Sequence, residues 1–313
     1  MELELPLVFF TVFTQMAVGG FIFLWWLGNR VPVLSLTGTG GSGAGHRPER
    51  PLLVLAGVQG LALVLSLFHL GQPLAAYRAL AHLDTSWLSR EVVLTSMFFA
   101  SLAACALLEG YRRLTAAPWL TALLGVLAVV ASGLVYMLPA RPAWNNLWPV
   151  FSFGMTAWVG GMALGAFLLQ GMPVTAGYQP AGGTVPVAAA SEGGPGTLLT
   201  APAGGEAGPL PNAIRQLLLA GLAVSLGATI LYLSTLTGGG PEARATLGNI
   251  ISAPLFWLRV VLGWLLPGLL LLRPRTDNRS KAVLLLVLVV LGELLGRAVF
   301  YGTVVPMGIN QGF

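Results

Sequence analysis

The stretch LPLVFFTVFTQMAVGGFIFLWWL at residues 5–27 contains no charged side chain. A hydrocarbon core about 30 Å thick is crossed by about 20 helical residues, so this run is long enough to span a bilayer. It must do so as a helix, because lipid offers the backbone no hydrogen-bond partners. Working outward, similar apolar runs follow at about 51–70, 90–111, 118–138, 149–170, 213–236, 253–272 and 282–304. The sequence therefore predicts an all-α integral membrane protein, a single membrane domain over residues 1–313 with eight transmembrane helices. Glu2 and Glu4 precede the first run where a secretory signal would carry positive charge, so that run is expected to stay in the mature protein.

Composition agrees. Of 313 residues, 56% are hydrophobic and 9% charged, against roughly 25% charged in soluble domains. A mean hydropathy of +0.81 also excludes a disordered chain. The net charge of +5 would suit nucleic acid if gathered on a patch, but the 15 arginines and Lys281 are scattered, and no nucleic-acid partner is expected. Their placement reports orientation instead. Loops after the odd-numbered helices hold ten basic residues (Arg30, Arg47, Arg50, Arg112, Arg113, Arg215, Arg273, Arg275, Arg279, Lys281), and the opposite loops hold four (Arg78, Arg90, Arg141, Arg244). Positive residues favour the cytoplasmic side, which predicts both termini outside the cytoplasm.

Residues 171–211 are rich in Gly, Pro and Ala and read as a flexible cytoplasmic tether. The stretch LTGTGGSGAGHRPERP at 36–51 lacks the GK[ST] end and the preceding strand of a phosphate loop, and reads as a mobile inside loop. Cys105 alone cannot ligate an iron–sulfur cluster. Of the histidines His46, His69 and His82, only His69 touches a helical run. No haem, cluster or metal site is expected in this subunit.

Function should lie where hydrocarbon rejects the side chain. In FHLGQPLAAYRALAHLDTSWLSREVV, residues 68–93, the end of helix two brings His69 to the outer face and the start of helix three brings Arg90 and Glu91. Gly71 and Pro73 close helix two, and Ser89 is a candidate cap for helix three. An imidazole and a carboxylate near an apolar boundary suit quinol oxidation, which releases two protons as two electrons leave. The plainer alternative is an interfacial histidine and a helix-capping Glu91 paired with Arg90. In GELLGRAVFYG, residues 292–302, Glu293 and Arg297 stand four apart and are expected as a buried ion pair, with Tyr301 on the same stripe. Arg259 either snorkels to the interface or supplies a buried counter-charge. Trp25, Trp26, Trp87, Trp144 and Trp148 read as an interfacial belt, Trp87 also as a quinone-stacking candidate. Gly19, Gly20, Gly160, Gly161 and Gly165 allow close helix packing.

These elements together resemble the membrane anchor subunits of dimethyl sulfoxide reductase type complexes, related to the polysulfide and nitrite reductase anchors. The resemblance rests on LPLVFFTVFTQMAVGGFIF, FHLGQP followed by TSWLSREV, WVGGMALGAF and GELLGRAVFYG, and covers nearly the whole chain. It implies a multi-pass subunit of a bacterial or archaeal cytoplasmic membrane that serves anaerobic respiration. It further implies an exchangeable menaquinol (menaquinone when oxidised) bound on the outer side. Electrons would pass to a four-cluster iron–sulfur subunit and from there to a molybdopterin catalytic subunit. By match of motif, His69 and Glu91 fall at quinol positions with Arg90 beside them. The long tether and the Gly-rich first loop depart from the family pattern. The subunit would not meet the terminal substrate itself. The iron–sulfur partner is expected on the face holding the termini and the 71–90 and 139–148 connections. The rival readings are a multi-helix transporter, although no internal repeat supports it, a purely structural anchor without quinone chemistry, and a haem-bearing quinol dehydrogenase, disfavoured by the three histidines.

Overall fold

The structure, a computed structural model, describes residues 5–30, 49–68, 82–170, 212–273 and 279–308. His69, His46 and the 171–211 connection lie outside them, as does most of the Gly-rich first loop. Among the described residues all regular structure is helical: α1 (Leu5–Arg30), α2 (Glu49–Leu67), α3 (Trp87–Leu107), α4 (Glu109–Arg112), α5 (Ala116–Leu134), α6 (Trp148–Gln170), α7 (Asn212–Thr237), α8 (Pro241–Ser252), α9 (Pro254–Arg259), a π-helical segment (Val260–Leu265), α10 (Leu266–Leu272) and α11 (Arg279–Gly302). Eight stretches are long and apolar enough to cross a membrane, the seventh running continuously from α9 through the π segment to α10.

The hydrophobic face of α1 extends all the way round, as a helix buried on all sides requires. It packs against α2, α5, α6 and α11. The contact with α6 is backbone on backbone, since a Cβ at Gly161 would fall 2.5 Å from Gly19 Cα and a Cβ at Gly19 would run into the Ala157 carbonyl. The small residues singled out in the sequence thus face one another, the arrangement that lets membrane helices gain close van der Waals contact. Leu61, Leu107, Trp119, Leu231 and Leu269 point outward and remain exposed. Against lipid this costs nothing, because hydrocarbon is as apolar as the side chains.

Several expected boundaries change for local reasons. Helix two ends at Leu67, three residues short of the expected limit. Helix three starts at Trp87, not at 90, because Ser86 is its cap and accepts from the Ser89 N–H at 3.3 Å, leaving Ser89 buried inside the first turn. It stops at Leu107, where extended Leu108 breaks the run, and Arg112 reaches back to the Cys105 carbonyl at 3.2 Å. The fourth span ends at Leu134 and passes into tight turns. The connection before the seventh span is helix α8, whose Ala243, Thr246 and Ile250 face inward.

The alternation of spans puts the start of α1 and the end of α11 at one end of the bundle, where Val8 and Val304 share a cluster with Trp144, Tyr232 and Phe256. This terminal end is closed by three pieces: the 135–147 turn, α8 and the tail after α11. Met307 N–H donates to the Ala140 carbonyl at 2.9 Å, Val305 N–H to Thr246 Oγ1 at 3.0 Å, and Asn249 to the Thr303 carbonyl at 3.1 Å.

Candidate functional site

Glu91 is the fifth residue of α3, about 6 Å below the start of the helix at 1.5 Å per residue. Its side chain is 3% exposed, and the Ser132 hydroxyl of α5 donates to Oε1 at 2.5 Å. Arg90 goes elsewhere. Its guanidinium donates to the Leu83 carbonyl at 2.8 Å and the Asp84 carbonyl at 2.7 Å, and lies 4.3 Å from the ring centre of exposed Trp87. Successive helical residues point about 100° apart, so Arg90 and Trp87 close the 82–86 turn while Glu91 enters the core. The capping pair of Arg90 with Glu91 that the sequence allowed does not form.

Arg297 of α11 is 4% exposed and holds two other helices. Nη2 donates to Gln15 Oε1 of α1 at 2.6 Å and to Thr156 Oγ1 of α6 at 3.3 Å. Thr156 in turn donates to Glu293 Oε2 at 2.7 Å. The charges expected from their spacing are thus joined through a threonine of another span. The Arg297 guanidinium carbon also lies 3.5 Å from the ring centre of Phe153. Gln15 and Thr156 escaped the sequence reading. Gln15 left a signal, an amide in the most apolar run; Thr156 left little, since a helical threonine can bond its own backbone.

Arg259 does not snorkel to the surface. From the last turn of α9 it crosses to α11, where Gly296 leaves the space: a Cβ there would fall 2.5 Å from the guanidinium carbon and from Nε. Its guanidinium carbon is 4.6 Å from the ring centre of Trp264. The π segment begins at the next residue and brings Gly263 against Gly292, so the crossing sits at a locally widened helix turn. Such turns recur at functional sites.

Aromatic side chains surround these charges. The Tyr301 hydroxyl lies 3.1 Å from that of Tyr136 and 3.5 Å from Thr11 Oγ1. Trp144 stacks on Phe300 at 4.8 Å, and Trp148 on Tyr232 at 4.4 Å. Trp144, 4% exposed, is therefore core and not interfacial belt. Trp26 and Trp87 stay exposed, and Trp25 meets Trp119 edge-on. Trp144, Trp148, Tyr232, Arg259, Glu293 and Arg297 all line one small cavity, of about 50 Å³, beneath α8 and the tail. Among the described residues no three His, Cys, Asp or Glu side chains come together as a metal site would require.

Glu91, Glu293, Arg259 and Arg297 therefore lie in one half of the bundle, two carboxylates against two guanidinium groups. Burying a charge is tolerable when an opposite charge and hydrogen bonds meet it. Thr156 joins Arg297 to Glu293, while Glu91 has its own bond from Ser132. A set of donors and acceptors beside aromatic walls can bind a ring that carries oxygens and exchange protons with it.

Known proteins carry the same sequence pattern from end to end. The protein is 29% identical over 320 residues to the C subunit of the anaerobic dimethyl sulfoxide reductase of Escherichia coli (strain K12), an alignment that takes in 98% of this sequence and 96% of that one. The anaerobic dimethyl sulfoxide reductase subunit YnfH of the same organism is 28% identical over the same shares. The corresponding C subunit of Haemophilus influenzae is 31% identical over 171 residues, 53% of this sequence and 58% of the relative. The family model for the DMSO reductase anchor subunit (DmsC) matches residues 1–303, a span that takes in all eight membrane helices, and the chain belongs to that family.

Proposed function

We propose that this multi-pass membrane protein anchors a molybdoenzyme complex and oxidises menaquinol at the terminal end of the bundle, passing the electrons to an iron–sulfur subunit docked there. The observation that carries the reading is Glu91, a carboxylate about 6 Å inside a membrane helix that accepts from Ser132 and shares the field of Arg297. Intramembrane acids are costly and mark proton or substrate paths. Quinol oxidation needs such a group, because each hydroxyl proton must leave as its electron does. In this reading His69 receives a proton from the quinol, Glu91 carries protons outward, and Arg297 balances its charge. Arg90 and Trp87 close the 82–86 turn at the head of α3.

The distribution of charge favours a site over a transport path. Glu91, Glu293, Arg259 and Arg297 gather in the terminal half, and the sequence carries no internal repeat of the kind on which many transporters are built. The anchor reading also places the terminal end on the outer face, as the basic loops indicate. The test is the purified complex carrying His69→Ala, with reduction of the partner's clusters by menaquinol followed optically. Turnover should fall about a hundredfold or more, the usual worth of a general base, while assembly is kept. Unchanged turnover removes His69 from the mechanism.

A further inference from the structure

We propose that the groove between α1, α5, α6 and α7 holds one acyl chain of a phospholipid, whose headgroup lies at the end of the bundle opposite the termini. The groove has a volume of about 670 Å³, within the roughly 300–1,000 Å³ of small-molecule sites. Trp26 of α1, Val126 of α5, Gly154 and Trp158 of α6 and Leu217 of α7 are among its walls, and no charged side chain lines it among the described residues. Val126 is 46% exposed and Trp26 39%, so the groove opens sideways onto lipid. A polar ligand would give up its bonds to water there and find none in return.

The glycines of α6 separate this space from ordinary close packing. At Gly160, Gly161 and Gly165 a Cβ would collide with Met16, Gly19 and Phe23, so each is small because α1 comes close. Gly154 is different, since a Cβ there would meet nothing within 4 Å. Glycine weakens a helix relative to alanine, and at Gly154 no contact within this chain offsets that cost. Trp158, one turn on, rests against α7, its Nε1 lying 3.3 Å from where a Cβ at Gly221 would stand, and makes a fixed side wall. A partner's membrane helix is too thick for the groove: about 12 residues of a helix about 10 Å across fill roughly 1,400 Å³. A single hydrocarbon chain fits, held by dispersion contacts.

The ends of the groove give the lipid its direction. At the terminal end α5 meets α6, a Cβ at Gly133 falling 2.5 Å from Val150 Cα, and the groove closes. At the other end it reaches Trp26 and Leu217, beside the loops with ten basic residues, which suit a phosphate headgroup. The seated chain also braces α6 from behind, because that helix turns Phe153 and Thr156 to Arg297 and Gly154 and Trp158 to the groove.

In the complex purified in detergent and stripped of loosely held lipid, native mass spectrometry should show one phospholipid retained by the unaltered protein. Gly154→Leu puts a side chain into the groove and should lower that occupancy about tenfold, the effect of about two methylene groups losing their burial. Gly57→Leu, at an exposed glycine of α2 with equally open space around it, should leave the occupancy unchanged. Equal occupancy in Gly154→Leu and the unaltered complex overturns the proposal, as does no retained phospholipid at all. A retained molecule that Gly154→Leu expels but whose mass is that of a quinone overturns it too, and gives the groove to a quinol tail. If Gly154→Leu does not assemble, the stripped unaltered complex decides. Phosphatidylglycerol brominated midway along its chains should quench part of the tryptophan emission and saturate, and Trp158→Phe should lack that part. Quenching that rises without saturation, or is the same in Trp158→Phe, overturns the proposal.

Discussion

The two ends of the bundle spend their polar residues differently. At the terminal end, Gln15, Glu91, Ser132, Thr156, Arg259, Glu293 and Arg297 come from six segments and meet across long stretches of sequence. At the opposite end, Ser101 bonds Tyr111 at 2.9 Å and Thr121 at 2.6 Å, Cys105 lies 3.5 Å from Thr121, and exposed Arg113 pairs with Glu109 one turn away. That second group links only α3, α4 and α5, neighbours in the chain. Its polar atoms are neutral hydroxyls, a thiol and surface charges, and they tie one helical hairpin together. The first group buries full charges beside a cavity. Cheap polarity closes helix ends; costly polarity in one place marks chemistry.

The comparison breaks most severely at Arg297. Arg297→Leu removes the guanidinium that Thr156 joins to Glu293 and strips Gln15 of its partner. Removing one member of a buried charged set costs roughly 3–5 kcal/mol. The variant should fail to accumulate as a folded protein, seen as loss of the monodisperse peak in detergent size-exclusion chromatography. Arg297→Lys, which keeps the charge but not the planar fork, should restore part of the yield and little of the quinol activity. Full yield and full activity of the leucine variant would mean that the terminal cluster is no more than packing.

A finer cut is Glu91→Gln. The amide keeps the shape and the bond from Ser132 but cannot accept a proton. Menaquinol-driven cluster reduction should fall by about two to four orders of magnitude, the range for a lost acid–base group, while the thermal midpoint of the complex moves by only a few degrees. Retained turnover would hand the proton path to Glu293 and His69.

The sequence announces the eight spans because lipid compels each to be long, apolar and helical. It hides α8, since Gly238, Gly239, Gly240 and Pro241 read as a turn and the inward stripe of α8 is only Ala243, Thr246 and Ile250. Glu293 and Arg297 are legible from helical spacing alone, although the threonine between them belongs to a helix some 140 residues away in the chain. The fate of Arg259 is illegible because it depends on a vacancy at Gly296 that only packing creates. Arg90 and Glu91 mislead in the opposite sense: adjacency in sequence suggests partnership, and the helix turns them to different faces. What the sequence conveys is the cost of each polar residue; what it withholds is the partner, because partners are chosen by tertiary contact.

The mildest effect belongs at the opposite end, and it makes the contrast measurable. Thr121→Val keeps the shape of the side chain and removes the hydroxyl that Ser101 and Cys105 approach. Ser101 retains Tyr111, the Cys105 thiol loses only a weak contact, and the cost should be about 1 kcal/mol, the net worth of one ordinary hydrogen bond. The thermal midpoint of the complex should drop by a few degrees, with the rate of quinol-driven reduction within about twofold of the unaltered protein. An equally conservative removal at the terminal end, Thr156→Val, takes the bridge from between Glu293 and Arg297 and should slow that rate about tenfold or more for a similar loss of stability. If the two threonines prove alike in both measurements, then the unequal distribution of charge between the ends does not carry the function.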